Sequence, residues 1–195
     1  MITLIRRKGF LAAVTAICGF VLVTVLAGGC IRLRRPELAP TPPKDFTTAP
    51  SPSAKSPAPD FELSDLEGRK VRLTDFKGAV VLLNFWTTSC PWCMKELPTL
   101  EKLQNSYGTS LKVLAVNLGD DRSKVGELFK KEGYRFTALV GDRAAVEKIV
   151  ADYKISAIPV SYVIAKDGSV TSKLIGYQSE EQFKAALLLE RGQGS

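Results

Sequence analysis

The stretch that most constrains the fold is AVVLLNFWTTSCPWCMKELP, residues 79–98. Its opening run, residues 79–86, is nearly all apolar, which suits a strand covered on both faces. Pro91 directly follows the first of two cysteines, and proline fits the first position of a helix, where its missing N–H costs no hydrogen bond. Cys90 is thereby expected at the N-cap. Unpaired N–H groups and the positive end of the helix macrodipole favour thiolate over thiol there, so its pKa should fall below the free value of about 8.5. Cys93 lies on the same helical face about one turn on, a separation compatible with a disulfide. The pair can be open or closed.

The formal net charge is +7, but its location matters more than its size. Residues 1–58 hold 8 Lys/Arg against Glu37 and Asp45, while residues 59–195 hold 19 Lys/Arg against 18 Asp/Glu. The second part is near neutral, so no nucleic-acid partner is expected. There is no histidine, which removes His-based acid–base catalysis, Ser-His and Cys-His nucleophile pairs and most catalytic zinc or copper sites. A zinc site would need two ligands beside Cys90 and Cys93, and nothing with ligand spacing supplies them. Neither a metal nor another cofactor is expected.

Residues 1–35 read as a membrane-directing segment. Residues 9–31 carry no charge, and 23 residues are enough to span the hydrocarbon core of a bilayer, about 30 Å thick. That length favours an uncleaved anchor over a cleaved signal. LAGGC at 26–30 resembles a bacterial lipobox, which makes Cys30 a lipidation candidate; both readings stand. Cys18, in mid-span, reads as a packing residue. Residues 36–58 are rich in Pro, Ser, Thr and Ala and read as an extended linker.

Residues 59–195 read as one α/β domain. Short strands are expected at 61–63 and 70–73 around a hairpin connection, and further strands at 79–86, 111–118 and 135–140. Helices are expected at 91–107, with Pro98 kinking it, and at 123–133 and 144–153. A hairpin then covers 159–177 and turns at Lys166-Asp167-Gly168, and a last helix at 179–190 opens on a Ser-x-x-Gln capping box.

A strand ending in FW, a CxxC at a helix start and an Ile-Pro about 65 residues later resemble the thioredoxin fold: a central mixed sheet flanked by helices, here with an N-terminal hairpin and a central insertion. More narrowly, APDFELSDLEGRKVRLTDFKGAVVLLNFW, CPWCMKELP and AIPVSYVIAKDG resemble the TlpA/ResA-like thiol–disulfide oxidoreductases, which are membrane-tethered and face outward from the cytoplasmic membrane. The resemblance implies that Cys90 attacks, that Cys93 resolves, and that Pro159 is a cis-proline holding substrate beside the pair. Pro91 and Trp92 would line the same surface, Trp92 either touching substrate or shielding the disulfide. Glu96 matches a carboxylate kept near the cysteines; the other reading is a solvated helix acid. Asn84 replaces the aspartate of classical thioredoxin and cannot take a proton, which shifts that role toward Glu96.

The implied activity is exchange with protein thiols and disulfides, with apocytochrome c as the substrate suggested by kinship and a membrane thiol-electron donor as reductant. Two alternatives stand beside it. A peroxiredoxin-like peroxidase would use Thr87, three residues before Cys90, although its motif's proline position is Leu83. A metallochaperone or scaffold would not turn over, and copper chaperones of this shape usually add a histidine.

Overall fold

The computed structural model describes residues 56–191. The apolar run at 9–31, Cys18, the lipidation candidate Cys30 and residues 36–55 of the linker lie outside the described residues. Among the described residues no helix is long and apolar enough to cross a membrane.

The elements in chain order are β1 (Ser56–Pro57), β2 (Glu62–Asp65), β3 (Lys70–Arg72), a 3-10 turn at Leu73–Phe76, β4 (Val80–Trp86) and α1 (Pro91–Tyr107). Then come β5 (Leu111–Asn117), α2 (Arg122–Glu132), β6 (Thr137–Val140), α3 (Arg143–Asp152), β7 (Val160–Ile164), β8 (Ser169–Ile175) and α4 (Glu180–Arg191). All strands join one sheet in the order β1-β8-β7-β4-β5-β6-β2-β3. β4, β5 and β6 run parallel, and the remaining pairings are antiparallel.

β4 is central, and its alternation divides the interior. Val81, Leu83 and Phe85 enter one core with Tyr153, Tyr162 and Ile149 of the α3 side. Leu82 and Trp86 enter the other with Cys93, Leu97, Leu100 and Leu103 of α1, Phe129 of α2 and Phe183 of α4. Leu97, Leu100 and Leu103 are fully buried. Each such side chain contributes about 1.5–3 kcal/mol of transfer free energy. α1 runs on through Pro98 as a single helix, with the proline exposed.

Several boundaries differ from the sequence reading, each for a local reason. The sheet begins before Pro59: Ser56 and Pro57 pair with Val170 and Ser169 of β8. Strand β6 starts at Thr137 rather than 135, because Arg135 and Phe136 donate their N–H groups to the Glu101 carboxylate at 2.8 and 3.3 Å instead of to a neighbouring strand. The capping box of α4 is present, with Ser179 N–H donating to Gln182 Oε1 at 2.8 Å and Gln182 N–H to Ser179 Oγ at 3.4 Å. α2 ends at Gly133, whose φ of 73° is the left-handed conformation that glycine adopts without a Cβ penalty.

Candidate active site

Cys90 takes extended backbone (φ −93°, ψ 107°) at the N-cap of α1, followed by Pro91 at the first helical position. The Cys93 N–H donates to Cys90 Sγ at 3.2 Å, and the Met94 N–H to the Cys90 carbonyl at 3.0 Å. The two sulfurs form a disulfide, with Cα atoms 5.2 Å apart. Cys90 is half-buried, whereas Cys93 is 1% exposed. Only Cys90 is open to a partner.

The Ile158–Pro159 peptide is cis, and Cys90 Sγ lies 3.9 Å from the Ile158 carbonyl oxygen. The turn before β7 therefore meets the disulfide across 68 residues of sequence. Pro91 is exposed beside it and Trp92 is half-buried. The Trp92 ring lies 5.8 Å from that of Tyr177.

Glu96 does not lie on the solvated face of α1. It is 1% exposed and points inward one turn beyond Cys93. Asn84 Nδ2 donates to Glu96 Oε1 at 3.0 Å and to Ser161 Oγ at 2.9 Å, and the Gln178 N–H donates to Glu96 Oε2 at 2.9 Å. Asn84 and Ser161 are register partners on β4 and β7, so their side chains share a face of the sheet. Burial pushes the Glu96 carboxyl up from an ordinary 4.5 to about 8; the hydrogen bonds from Gln178 and Asn84 pull the other way and lose. An amide at position 84 suits this acid because it donates, whereas an ionised aspartate could only accept.

A second carboxylate fixes the loop before Cys90. Asp120 Oδ2 accepts the Thr88 N–H at 2.7 Å and Asn117 Nδ2 at 2.9 Å; its Oδ1 accepts the Thr88 hydroxyl at 2.6 Å and Lys124 Nζ at 2.7 Å. Burial alone would raise this acid, but the bonds from Lys124, Thr88 and Asn117 outweigh it and hold Asp120 well below the usual carboxylate range. Among the described residues no group of three or more His, Cys, Asp or Glu is disposed to hold a metal ion.

The structure thus gathers Cys90, Cys93, Pro91, Trp92 and Pro159 at one end of the sheet, with Glu96 beneath them. Sequence reasoning missed Ser161, Gln178, Thr88 and Asp120. Ser161 alternates with core residues on a strand, and that period could have placed it inward opposite Asn84.

The chain matches the AhpC/TSA family over residues 54–173. The thiol-disulfide oxidoreductase ResA of Geobacillus thermodenitrificans is 36% identical over 143 residues, which cover 73% of this chain and 80% of that protein. Among solved structures, StoA from Bacillus subtilis superposes with a TM-score of 0.57 at 26% identity, covering 67% of this chain and 97% of its own. The thioredoxin domain of a thiol-disulfide oxidoreductase from Bacteroides vulgatus, 24% identical, covers 70% of this chain and 98% of its own with a TM-score of 0.64, a likeness of fold. A CxxC disulfide at a helix start, a cis-proline facing it, a relative that shares about a third of the sequence and solved structures of the same fold lead to one conclusion: this chain belongs to the ResA-type thiol–disulfide oxidoreductases of the AhpC/TSA family.

Proposed function

We propose that this oxidoreductase reduces protein disulfides outside the cytoplasmic membrane, of the kind met in apocytochrome c before haem attachment. The observation that carries this reading is the asymmetry of the pair: Cys90 half-buried at the helix mouth, Cys93 buried behind it. In the reduced protein the Cys90 thiolate attacks one sulfur of the substrate disulfide. That S–S bond breaks, a mixed disulfide forms, and the first substrate thiolate leaves. Cys93, as thiolate, then attacks Cys90 Sγ; the mixed disulfide breaks, the second substrate thiolate leaves, and the Cys90–Cys93 bond closes. Two electrons pass to the substrate and two protons are taken up by its thiolates.

Glu96, one turn beyond Cys93, takes the proton that Cys93 gives up in molecules where its carboxyl is ionised, a fraction that grows as pH rises toward about 8, so the resolving step should quicken over that range. Pro91, Trp92 and Pro159 hold the substrate chain. A membrane dithiol donor returns the pair to the reduced state. The uncharged run at 9–31 supports a membrane tether, with the domain facing outward and Cys30 as the lipidated residue if the leader is cleaved.

The test is a Cys93→Ala variant of the full chain in cells. Mixed disulfides on Cys90 should accumulate, be absent from Cys90→Ala, and identify the substrate. An empty trap with the protein folded would overturn the reading. A thiol peroxidase is the second reading, favoured by the AhpC/TSA match. The Thr87 hydroxyl, however, pairs with the Ser89 hydroxyl at 3.1 Å. Peroxide consumption unaffected by Cys93→Ala would favour the peroxidase.

A further inference from the structure

Three side chains around the disulfide have contacts that the exchange steps leave unused: Trp92, Lys95 and Tyr177. Trp92 and Lys95 stand three residues apart on α1, which puts them on one face. Tyr177 follows β8. Lys95 Nζ stands 5.0 Å from the centroid of the Trp92 ring and 4.9 Å from that of Tyr177, and the two rings are 5.8 Å apart.

The turn carrying Tyr177 is tied to the site on both sides. The Gly176 N–H donates to the Pro159 carbonyl at 2.8 Å, and the Gln178 N–H donates to Glu96 Oε2 at 2.9 Å. Gln178 Nε2 donates to the Ile175 and Gly176 carbonyls at 3.1 and 3.0 Å, bracing the turn from within. The φ of 79° at Gly176 is a conformation that few other residues would accept. Tyr177 is thus held in place, and its ring fixes one side of the position that the ammonium occupies.

Lys95 is exposed, and among the described residues its contacts are ring faces rather than a carboxylate. An aromatic face attracts a cation but carries no net charge, so the positive charge remains uncompensated. Glu96, next in the chain, does not cancel it, being turned into the interior and protonated at neutral pH. The N-terminal end of α1 adds partial positive charge of the same sign.

We propose that Trp92, Lys95 and Tyr177 form a cationic aromatic lip that selects substrate disulfides flanked by acidic side chains. The rings take up the apolar part of the incoming chain and the ammonium meets its carboxylate. The proposal rests on the exchange reading above and adds the charge of the preferred substrate.

The test uses the reduced full chain and three synthetic peptide disulfides that are identical except for the residues flanking the cysteine: Asp, Asn or Lys. The expected order of kcat/KM is Asp, Asn, Lys, with an Asp-to-Asn ratio of about two to five at low salt, the size expected of an exposed ion pair. The ratio should fall toward one as salt screens it. Lys95→Glu should reverse the order, and Tyr177→Leu should lower the ratio without reversing it. A wild-type ratio of one at low salt would overturn the proposal. So would a Lys95→Glu variant that slows all three peptides equally, since Lys95 would then act on the Cys90 thiolate instead. If reduced wild type failed to open even the Asn peptide, the exchange reading itself would fall, and the lip with it.

Discussion

Two carboxylates bracket the cysteine pair in the chain's own order of contacts, and they are held in opposite protonation states. Asp120 clamps the loop ahead of Cys90, whereas Glu96 lies a turn beyond Cys93. Both lie largely out of water, with an Asp120 side chain 10% exposed and Glu96 at 1%. The difference lies in the donors. Asp120 accepts four hydrogen bonds, one from the Lys124 ammonium, and stays ionised. Glu96 accepts two, both from neutral groups, and keeps its proton at pH 7. Removal from water raises an acid; the number and charge of its donors decide whether that rise survives. One carboxylate is thereby held ionised as a structural clamp, and the other is held protonated at pH 7.

The comparison can be broken most directly at Glu96. The group titrates near 4.5 when unfolded and near 8 when folded, so its contribution is full below 4.5 and is lost as pH rises toward 8. The oxidised wild type should therefore lose on the order of 3–5 kcal/mol of unfolding free energy over that window, a loss that Glu96→Gln should abolish. Urea titrations at a series of pH values measure this, and parallel curves for the two proteins would remove the assignment.

Asp120→Ala should cost about 2–4 kcal/mol at pH 7, because the Thr88 N–H and the Asn117 amide lose their acceptor. Here the sign is opposite. The depressed acid stabilises above the unfolded carboxylate range, and that contribution disappears as pH falls through it, so Asp120→Asn should flatten the acid limb of the stability curve. A loss below about 1 kcal/mol for Asp120→Ala would mean that water replaces the clamp.

Asn84→Asp would give Glu96 a carboxylate neighbour in place of a donor. The pair should share a proton at pH 5 and repel when both ionise, giving a cost of about 1–2 kcal/mol at pH 8.5 and little at pH 5. Thermal melts at the two pH values separate this from a simple packing defect, which would be pH-independent. The smallest effect belongs to Lys124→Gln. Lys124 is 58% exposed, so its loss should cost about 0.2–1 kcal/mol and vanish at high salt.

Much of the fold is legible along the chain because its signals are local. The apolar run of β4, the proline opening α1 and the capping box of α4 each specify their element from neighbouring residues. The course of the sheet beyond β6 is not local: β2 joins it through Ser64 and Asp65 opposite Val140 and Leu139, some 75 residues away. Strand β1 is two residues of a Pro-rich stretch that carries no strand pattern. At the site, the cysteines are legible through motif spacing, and Pro159 and Glu96 through the family resemblance. Ser161 and Gln178 are not, since an uncharged residue becomes part of a proton site only through register and a turn. Asp120 falls outside the strand expected at 111–118 and carries no motif, since the partner that explains it, Thr88, lies 32 residues earlier.

The disulfide links residues only three apart in the chain. A loop this short restricts the unfolded chain little, and the chain-entropy account gives it about 2 kcal/mol, near the bottom of the usual range for cross-links. Folding is therefore carried by the sheet and its two cores rather than by the cross-link. The bond is cargo rather than staple: little of the stability of the fold rests on keeping it.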